Sequence, residues 1–182
     1  MYDYIVVGAG SAGCVLASRL TEDPQTTVLL LEAGDSDSTR PDIRIPVAFT
    51  THFHTPYDWA YTTEEEPYLL GRKMFWPRGK VLGGCSSINA MIYIRGNCSD
   101  YDAWEAAGNP EWDYAHVLPF FKKAEHQERG PSAYHGVGGP LNVANQRYTN
   151  PLARAFVEAG EELGIPENQD FNGERQEGVG LY

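Results

Sequence analysis

The residues with the clearest chemical meaning form a glycine-rich segment near the N-terminus. Gly8, Gly10 and Gly13 have the G-x-G-x-x-G spacing. In such a segment the first glycine permits a tight turn, the second lets the backbone approach a pyrophosphate, and the third lets a helix pack closely against a strand. The helix N-terminus also offers free N–H groups and the positive end of its dipole to the pyrophosphate. The spacing therefore predicts a site for the pyrophosphate of a dinucleotide.

The elements that must position this site are predicted from the flanking residues. Tyr4–Val7 is a short run rich in β-branched residues and predicts a buried strand, residues 14–20 predict a helix, and residues 27–31 predict a second strand. Glu32 stands at the end of that strand, 19 positions after Gly13. A carboxylate there accepts hydrogen bonds from ribose hydroxyls and repels a 2′-phosphate, so NADP is disfavoured. Together these elements predict a βαβ dinucleotide-binding unit and leave FAD and NAD both open.

A second segment with unusual chemistry covers residues 76–91. Arg78 and Lys80 flank a glycine, a Gly83-Gly84 pair follows, and small polar residues precede Asn89. Backbone N–H groups and hydroxyls in such a segment can surround an anion. On composition alone, a surface loop with a glycine turn is the alternative.

Composition limits the classes of protein to which the chain can belong. With 182 residues and 42% hydrophobic residues it has material for a globular core. The net charge of −11 argues against nucleic-acid binding, which needs a basic face. No apolar run approaches a membrane span, and no basic region or cleavable apolar segment precedes the first strand. Cys14, Cys85 and Cys98 show no metal or redox spacing, so we expect free thiols and a cytoplasmic protein without a transmembrane segment.

Beyond these residues the chain resembles a known family. The sequence RGKVLGGCSSINAMIYIRG, residues 78–96, resembles the first signature of the GMC (glucose–methanol–choline) flavin oxidoreductases, in particular the choline-dehydrogenase-like branch. The segments VVGAGSAGCVLASRL and VLLLEAG are similar to the start of the same family, as is the pair Asp58-Trp59. The resemblance extends from residue 2 to residue 182.

The resemblance implies an α/β fold and FAD as the cofactor. Residues 1–140 would form a Rossmann-like FAD-binding domain that includes the flavin-covering loop, and residues 141–182 would begin an α+β substrate-binding domain. The first glycine loop would hold the pyrophosphate, Glu32 the ribose, the second segment the flavin and pyrophosphate side, and residues 89–92 the isoalloxazine ring. Trp59 would pack near the cofactor. The matching positions are Gly8, Gly10, Ser11, Ala12, Gly13, Glu32, Ala33, Trp59, Arg78, Gly79, Val81, Gly83, Gly84, Ser86, Ser87, Asn89, Ala90, Met91 and Ile92.

Two positions depart from the family pattern. Cys85 stands where Gly, Ser or Thr is preferred, and its small size predicts little change. Ile88 stands where some choline oxidases carry a histidine covalently joined to the flavin. The resemblance therefore implies non-covalent FAD in this chain.

The implied activity is hydride transfer from a primary alcohol such as choline to FAD, which also needs a base for the hydroxyl proton. In the family this base is a histidine, paired with a second histidine or asparagine, near the end of a much longer chain. His52, His116, His126 and His135 do not match those motifs, so we assign no catalytic residue here. We expect an N-terminal portion that is completed by a C-terminal segment or a companion chain.

Three alternatives to this activity stay open. A GMC-fold lyase or photodecarboxylase would keep FAD and differ in its downstream residues. A cofactor-binding half could act only with a companion chain. An NAD-dependent dehydrogenase is the alternative on the first motif alone.

The remaining helices and strands are predicted from helix-capping residues and from helix-breaking proline and glycine. Ser99 is predicted to cap a helix that ends before Gly108, and residues 113–125 predict a helix interrupted at Pro119. A strand is expected over residues 138–144, and Asn150 followed by Pro151 predicts the start of the best helix. The alternation of residues 52–54 would put two histidines on one side of a strand. A metal site there is disfavoured because no third ligand is nearby.

Overall fold

The computed structural model describes residues 1–182 with the exception of the Thr39 side chain. The chain forms two compact units, unit 1 over Met1–Met91 and unit 2 over Ile92–Tyr182. Across the residues so described, no helix has both the length and the apolar character that crossing a membrane requires.

Unit 1 begins with the βαβ arrangement that the sequence predicts. Strand β1 (Tyr4–Val7) leads into helix α1 (Ser11–Leu20), which leads into strand β2 (Val28–Leu31). The two strands pair in parallel, with Tyr4 opposite Val28 and Val7 opposite Leu31. The helix starts earlier than the predicted residue 14 because Gly10 has an extended backbone and serves as its N-cap.

The rest of unit 1 is built from short turns of helix and one small ribbon. Strands β3 (Tyr61–Thr62) and β4 (Phe75–Trp76) pair antiparallel. Short 3₁₀ helices cover Asp37–Thr39, Pro41–Arg44, Pro46–His52, Pro67–Leu69 and Gly84–Ser87.

The predicted strand at residues 52–54 is wrong. Pro46 starts a 3₁₀ helix that continues to His52, because the fixed φ of proline suits the first helical position. His54 then has a φ of +57°, so the backbone does not continue as a strand. His52 is buried and His54 is exposed, which means that the two imidazoles do not share one strand face.

Unit 2 contains three helices and one parallel strand pair. Helix α2 covers Cys98–Ala106, α3 covers Tyr114–Ala124 and α4 covers Pro151–Glu162. Strand β5 (Glu125–Gln127) pairs with β6 (Leu141–Val143), which lies within the predicted strand. The predicted start of α4 is confirmed, since the Asn150 side chain accepts a hydrogen bond from the Leu152 N–H.

Two details of the helix predictions are wrong. Asn97, rather than Ser99, caps α2, because Asn97 and Asp100 form a capping box in which each side chain accepts a bond from the other end of the first turn. Helix α3 is continuous through Pro119. Proline removes one N–H from the helix ladder, and the remaining bonds carry the helix to Ala124.

The centre of unit 2 is a network of buried charges. Glu125 is fully buried and its Oε2 lies 3.1 Å from Arg95 Nη2. His135 Nδ1 lies 2.9 Å from Glu125 Oε1, and His135 Nε2 lies 2.8 Å from Asp170 Oδ2. The Gly136 N–H also donates to Glu125. Each side chain of the network therefore has an oppositely charged or hydrogen-bonding partner, and Arg95 Nε is the one buried side-chain nitrogen of unit 2 that makes no hydrogen bond among the described residues.

Candidate functional site

The glycine loop between β1 and α1 has the form that a phosphate site needs. Gly8 has a φ of +96°, and its N–H donates to the Leu31 carbonyl oxygen at 2.7 Å. Within the described residues, no side chain caps α1 and no acidic residue stands in its first turn. The positive end of the helix therefore faces outward without a negative side chain of its own to neutralise it.

A different physical reason explains why each of the three positions in this loop is glycine. Gly8 is explained by its positive φ. A Cβ on Gly13 would lie 1.9 Å from the Gly8 carbonyl oxygen, so Gly13 is needed where the helix packs on the strand. Gly10 has an ordinary φ of −78°, and a Cβ there would meet nothing within 4 Å. Neither the backbone nor the packing of unit 1 explains Gly10, and the open space beside it fits the close approach of a pyrophosphate.

Glu32 joins the carboxyl ends of the two parallel strands. Its Oε2 accepts a hydrogen bond from the Ala9 N–H at 2.7 Å, and its Oε1 accepts one from the Gly34 N–H at 2.9 Å. A carboxylate has about four acceptor positions, so both oxygens keep capacity for ribose hydroxyls. The side chain is half-buried. Its position therefore fits the predicted role at the ribose.

The second glycine segment lies directly against the first. The Gly83 N–H donates to the Ala9 carbonyl oxygen at 2.8 Å, and the Ser11 and Ser86 hydroxyls share a hydrogen bond. A Cβ on Gly84 would lie 2.9 Å from Gly10 Cα. The tertiary fold thus combines two segments that are more than seventy residues apart into one site.

The middle of the second segment is attached to the residues that follow β2. The Leu82 N–H donates to the Asp35 carbonyl oxygen at 3.0 Å. A Cβ on Gly34 would lie 2.1 Å from the Lys80 carbonyl, so only glycine permits this approach. Val81 is fully buried at the junction.

Asp58 holds the opposite side of the second segment. Its carboxylate accepts hydrogen bonds from the backbone N–H groups of Arg78, Ala60 and His54, at 2.9, 2.9 and 3.0 Å. Burial by itself would raise the pKa of Asp58, but these three N–H groups outweigh it and hold the pKa below its usual range. Asp58 therefore remains ionised and fixes Arg78, which lies near the start of the second segment.

Aromatic rings and cations surround this attachment. Trp59 stacks on Tyr61 with the ring centroids 5.8 Å apart, and Lys80 Nζ lies 4.7 Å from the centre of the Trp59 ring. The Arg78 guanidinium lies 5.0 Å from the Trp76 ring. Both cations therefore rest on aromatic faces, where cation–π attraction orients them.

The end of the second segment presents residues 89–92 on the surface of the chain. Asn89 Oδ1 accepts a hydrogen bond from the Met91 N–H at 2.9 Å, and Met91 has a φ of +59°. The side chains of Met91 and Ile92 are 57% and 54% exposed. Exposed apolar residues next to a constrained backbone fit a role alongside a flat ring, as the sequence resemblance implies.

Both departures from the family pattern have simple local structures. Cys85 Sγ accepts a hydrogen bond from the Gly79 N–H at 3.4 Å. Ile88 is 4% exposed and belongs to the small core of unit 1.

Several residues at the site were not identified as functional from the sequence. The sequence indicates Asp58 only through the family resemblance, in which the pair Asp58-Trp59 precedes the second segment. Gly34 is the last residue of the VLLLEAG segment, so it too is indicated only through the family resemblance. His52 was considered only as a metal ligand, and nothing in its local sequence indicates its burial.

Unit 2 contains one cluster of ligand-type side chains among the described residues. Single atoms of Glu105, Asp113 and His116 lie within 4.8 Å of one another. Asp113 caps α3 by accepting a bond from the His116 N–H, and the two side chains are also hydrogen-bonded. This bond raises the pKa of His116 and lowers that of Asp113. The helix cap thus accounts for the proximity of these two groups.

Comparison with known proteins gives consistent matches along the whole chain. The family model for GMC oxidoreductase matches residues 2–182. An alcohol dehydrogenase [acceptor] from Pseudomonas putida is 52% identical over 100% of this chain and 33% of its own length. The mitochondrial choline dehydrogenase of Homo sapiens is 50% identical over 98% of this chain and 31% of its own length.

A solved structure gives the same result for the fold. The crystal structure of pyridoxine 4-oxidase from Mesorbium loti matches with a TM-score of 0.89 and 43% identity, over 98% of this chain and 35% of that one. The chain therefore spans about a third of the length of the relatives that it matches.

Proposed function

Because the chain belongs to the GMC oxidoreductase family of FAD-dependent enzymes, we propose that it is the FAD-binding N-terminal part of an alcohol dehydrogenase or oxidase. The parallel βαβ unit at its start agrees with the Rossmann-like fold of such a part. The proposed reaction is hydride transfer from a primary alcohol, such as choline, to FAD. The names of the two relatives given above describe dehydrogenases of an alcohol and of choline, which supports the proposal.

The observation that carries the proposal is the open space at Gly10. A residue with an ordinary φ and no neighbour within 4 Å of its missing Cβ has no reason within unit 1 to be glycine. Close approach of a ligand to the backbone is a sufficient physical reason. The adjacent helix N-terminus indicates that this ligand is an anion such as a pyrophosphate.

Different residues of unit 1 would bind different parts of the cofactor. The first-turn N–H groups of α1 would bind the pyrophosphate, and the free acceptor positions of Glu32 would bind ribose hydroxyls. The exposed backbone around Met91 would stabilise negative charge near the ring. When bound, FAD supplies the hydride acceptor, which the side chains of a protein cannot supply themselves.

Completion of the site by other sequence is part of the proposal. Ile5 and Val7 on β1 are 61% and 82% exposed, and Val15 and Leu16 on α1 are 57% and 53% exposed. Apolar strand and helix surface of this kind is covered in stable α/β folds. We propose that a further segment of the same protein, or a companion chain, covers it and carries the catalytic histidine pair. Residues 1–140 would then belong to the FAD-binding domain and residues 141–182 to the start of the substrate-binding domain.

Two finer features complete the proposal. The flavin would be non-covalent, since Ile88 offers no nucleophile at the position where related oxidases carry histidine. The protein would be cytoplasmic, in agreement with three free cysteines among the described residues. Acid precipitation of the intact protein should release all of its flavin into the supernatant.

The direct test compares Gly10→Ala with wild type in the intact protein that carries this chain. We expect the apo form to keep its unfolding temperature, because the new methyl group meets no protein atom within 4 Å. We expect the affinity for FAD to fall by at least about tenfold, since the methyl group would occupy the space of the pyrophosphate. Ser18→Ala, on the exposed surface of the same helix, is the matched control and should change neither quantity. Wild-type FAD affinity in Gly10→Ala would contradict the proposed site.

A further inference from the structure

One buried side chain of unit 1 has hydrogen-bonding groups without partners. His52 is 1% exposed, and among the described residues neither of its ring nitrogens makes a hydrogen bond. The nearest carboxylate oxygen, Asp42 Oδ2, is 3.8 Å from His52 Nδ1, which is beyond hydrogen-bond distance. Asp42 is already bound to Arg40, whose Nε lies 2.9 Å from Asp42 Oδ1. Buried imidazoles in proteins are normally hydrogen-bonded, so this one requires an explanation.

His52 lines a cavity that also contains residues of the second glycine segment. The cavity has a volume of about 190 Å³, and we call it the His52 cavity. Its lining includes Ser86, Ser87, Asn89 and Met91, together with His52 and apolar residues such as Phe49 and Ile43. The unpartnered imidazole thus belongs to the same space as residues that the proposed function assigns to the flavin.

Three polar groups of the second segment that line the His52 cavity have partners within unit 1. The Ser86 hydroxyl shares a hydrogen bond with the Ser11 hydroxyl, and the Ser87 hydroxyl donates to the Leu82 carbonyl oxygen at 2.7 Å. Asn89 Oδ1 accepts from the Met91 N–H. Among the described residues that line the cavity, His52 is therefore the buried group whose hydrogen bonds a ligand would complete.

The surroundings of His52 favour an uncharged hydroxyl group. An imidazole with one protonated nitrogen offers one donor and one acceptor, and a hydroxyl can accept from one and donate to the other. Asp37 lines the cavity, and Asp42 Oδ2 lies 3.8 Å from His52 Nδ1. Arg44 also lines the cavity, and its Nη2 lies 3.6 Å from Asp37 Oδ2. An anion would therefore meet negative charge and no unpaired cation among these groups.

We propose that His52 hydrogen-bonds a hydroxyl of the ribityl chain of FAD in the His52 cavity and thereby positions the cofactor. This inference rests on the proposed function, because it depends on FAD lying along residues 86–91. It adds a cofactor-binding residue from outside both glycine segments. It also gives a reason for the burial of an imidazole without partners in the protein itself.

The test measures FAD affinity and apo-protein stability separately in the intact protein. In His52→Leu we expect the affinity for FAD to fall by about tenfold, because a cofactor hydroxyl loses its partner. The unfolding temperature of the apo form should stay the same or rise, because the substitution removes buried polar atoms that have no partner. His52→Gln, which keeps a donor and an acceptor, should recover part of the affinity. Val47→Ala, at an exposed position on the same 3₁₀ helix and outside the lining of the cavity, is the control and should bind FAD as wild type does.

Each other outcome overturns the inference in a distinguishable way. If wild type binds FAD and His52→Leu binds it equally well, His52 does not contact the cofactor and the proposed function still stands. If FAD affinity is unchanged but the KM for the alcohol rises, the cavity belongs to the substrate. If both His52 variants lose apo stability and affinity in parallel, His52 is structural. If wild type itself binds no FAD, the proposed function fails, and this inference fails with it.

Discussion

The two units contain one buried histidine each, and their environments are opposite. His135 in unit 2 is 7% exposed and has a carboxylate oxygen within 2.9 Å of each ring nitrogen. His52 in unit 1 is 1% exposed and, among the described residues, has no hydrogen-bond partner. Burying polar groups without partners costs stability, so the two sites have different physical explanations. His135 is explained by the fold of its own unit, whereas the burial of His52 would be explained by the ligand contact proposed above.

Two glycines of unit 2 contrast with Gly10 of unit 1. A Cβ on Gly136 would lie 1.9 Å from the Lys122 carbonyl oxygen, and one on Gly139 would lie 2.4 Å from Ala124. Both are therefore needed for packing within unit 2. Gly10 in unit 1 has open space instead. A residue type alone thus does not distinguish a structural position from a binding position, but its surroundings do.

The largest expected effect comes from breaking the buried network of unit 2. Glu125→Ala would leave Arg95 and His135 buried without their shared carboxylate. We expect unit 2 to lose about 3–5 kcal/mol of stability, the usual cost of removing one partner from a buried ion pair. Hydrogen exchange of the unit 2 amides in the intact protein measures this loss. Glu158→Ala, at an exposed position on α4, is the control, and equal exchange in both variants would contradict the account of the network.

A smaller effect is expected where a unit 1 glycine is needed for packing. Gly13→Ala would place a methyl group 1.9 Å from the Gly8 carbonyl oxygen, so the start of α1 must shift. We expect a loss of about 1–3 kcal/mol, the typical cost of overpacking. The unfolding temperature of the apo protein should fall for Gly13→Ala and remain unchanged for Gly10→Ala. Equal unfolding temperatures for the two variants would remove the distinction between packing and binding glycines.

Asp58 tests whether unit 1 also depends on satisfied buried polar groups. Asp58→Asn replaces one of two acceptor oxygens by a donor, and we expect a loss of about 1–3 kcal/mol at neutral pH. Because the folded pKa of Asp58 is lowered, its contribution is present above the ordinary carboxyl pKa and is lost as the pH falls through the lowered value. Unfolding temperatures measured from neutral to acidic pH should therefore converge for wild type and Asp58→Asn. A difference that stays constant with pH would mean that the charge of Asp58 is unimportant.

The smallest effect is expected at the exposed pair of His116 and Asp113. The raised pKa of His116 means that its contribution is full below the ordinary histidine pKa and is lost as the pH rises through the raised value. The lowered pKa of Asp113 means that its contribution is lost as the pH falls through that value. The pair should therefore stabilise α3 only between these two limits. His116→Ala should lower the unfolding temperature slightly within this window and not above it, and a shift of the same size at alkaline pH would contradict the ion pair.

Much of the fold around the candidate site was predictable because its signals are local. The alternation of strand, glycine loop, helix, strand and acidic residue specifies the βαβ unit, and Asn150 with Pro151 specifies the start of α4. Two wrong predictions of secondary structure also have local causes. Asn97 rather than Ser99 caps α2, because Asn97 and Asp100 form a reciprocal capping box. Residues 52–54 do not form a strand, because Pro46 begins a 3₁₀ helix that continues to His52. The proposed domain boundary at residue 140 stays a prediction.

The sequence by itself determined the family, the dinucleotide fold and the two glycine-rich segments that we propose bind the cofactor, because these depend on residue types at short spacings. Only the tertiary structure decided what surrounds each residue. It separated Gly13, which is needed for packing, from Gly10, which faces open space. It also placed His52 beside Ser86 and Asn89 in one cavity. Such neighbours are distant along the chain, and the cost of burying a polar group depends on whether they offer it a partner.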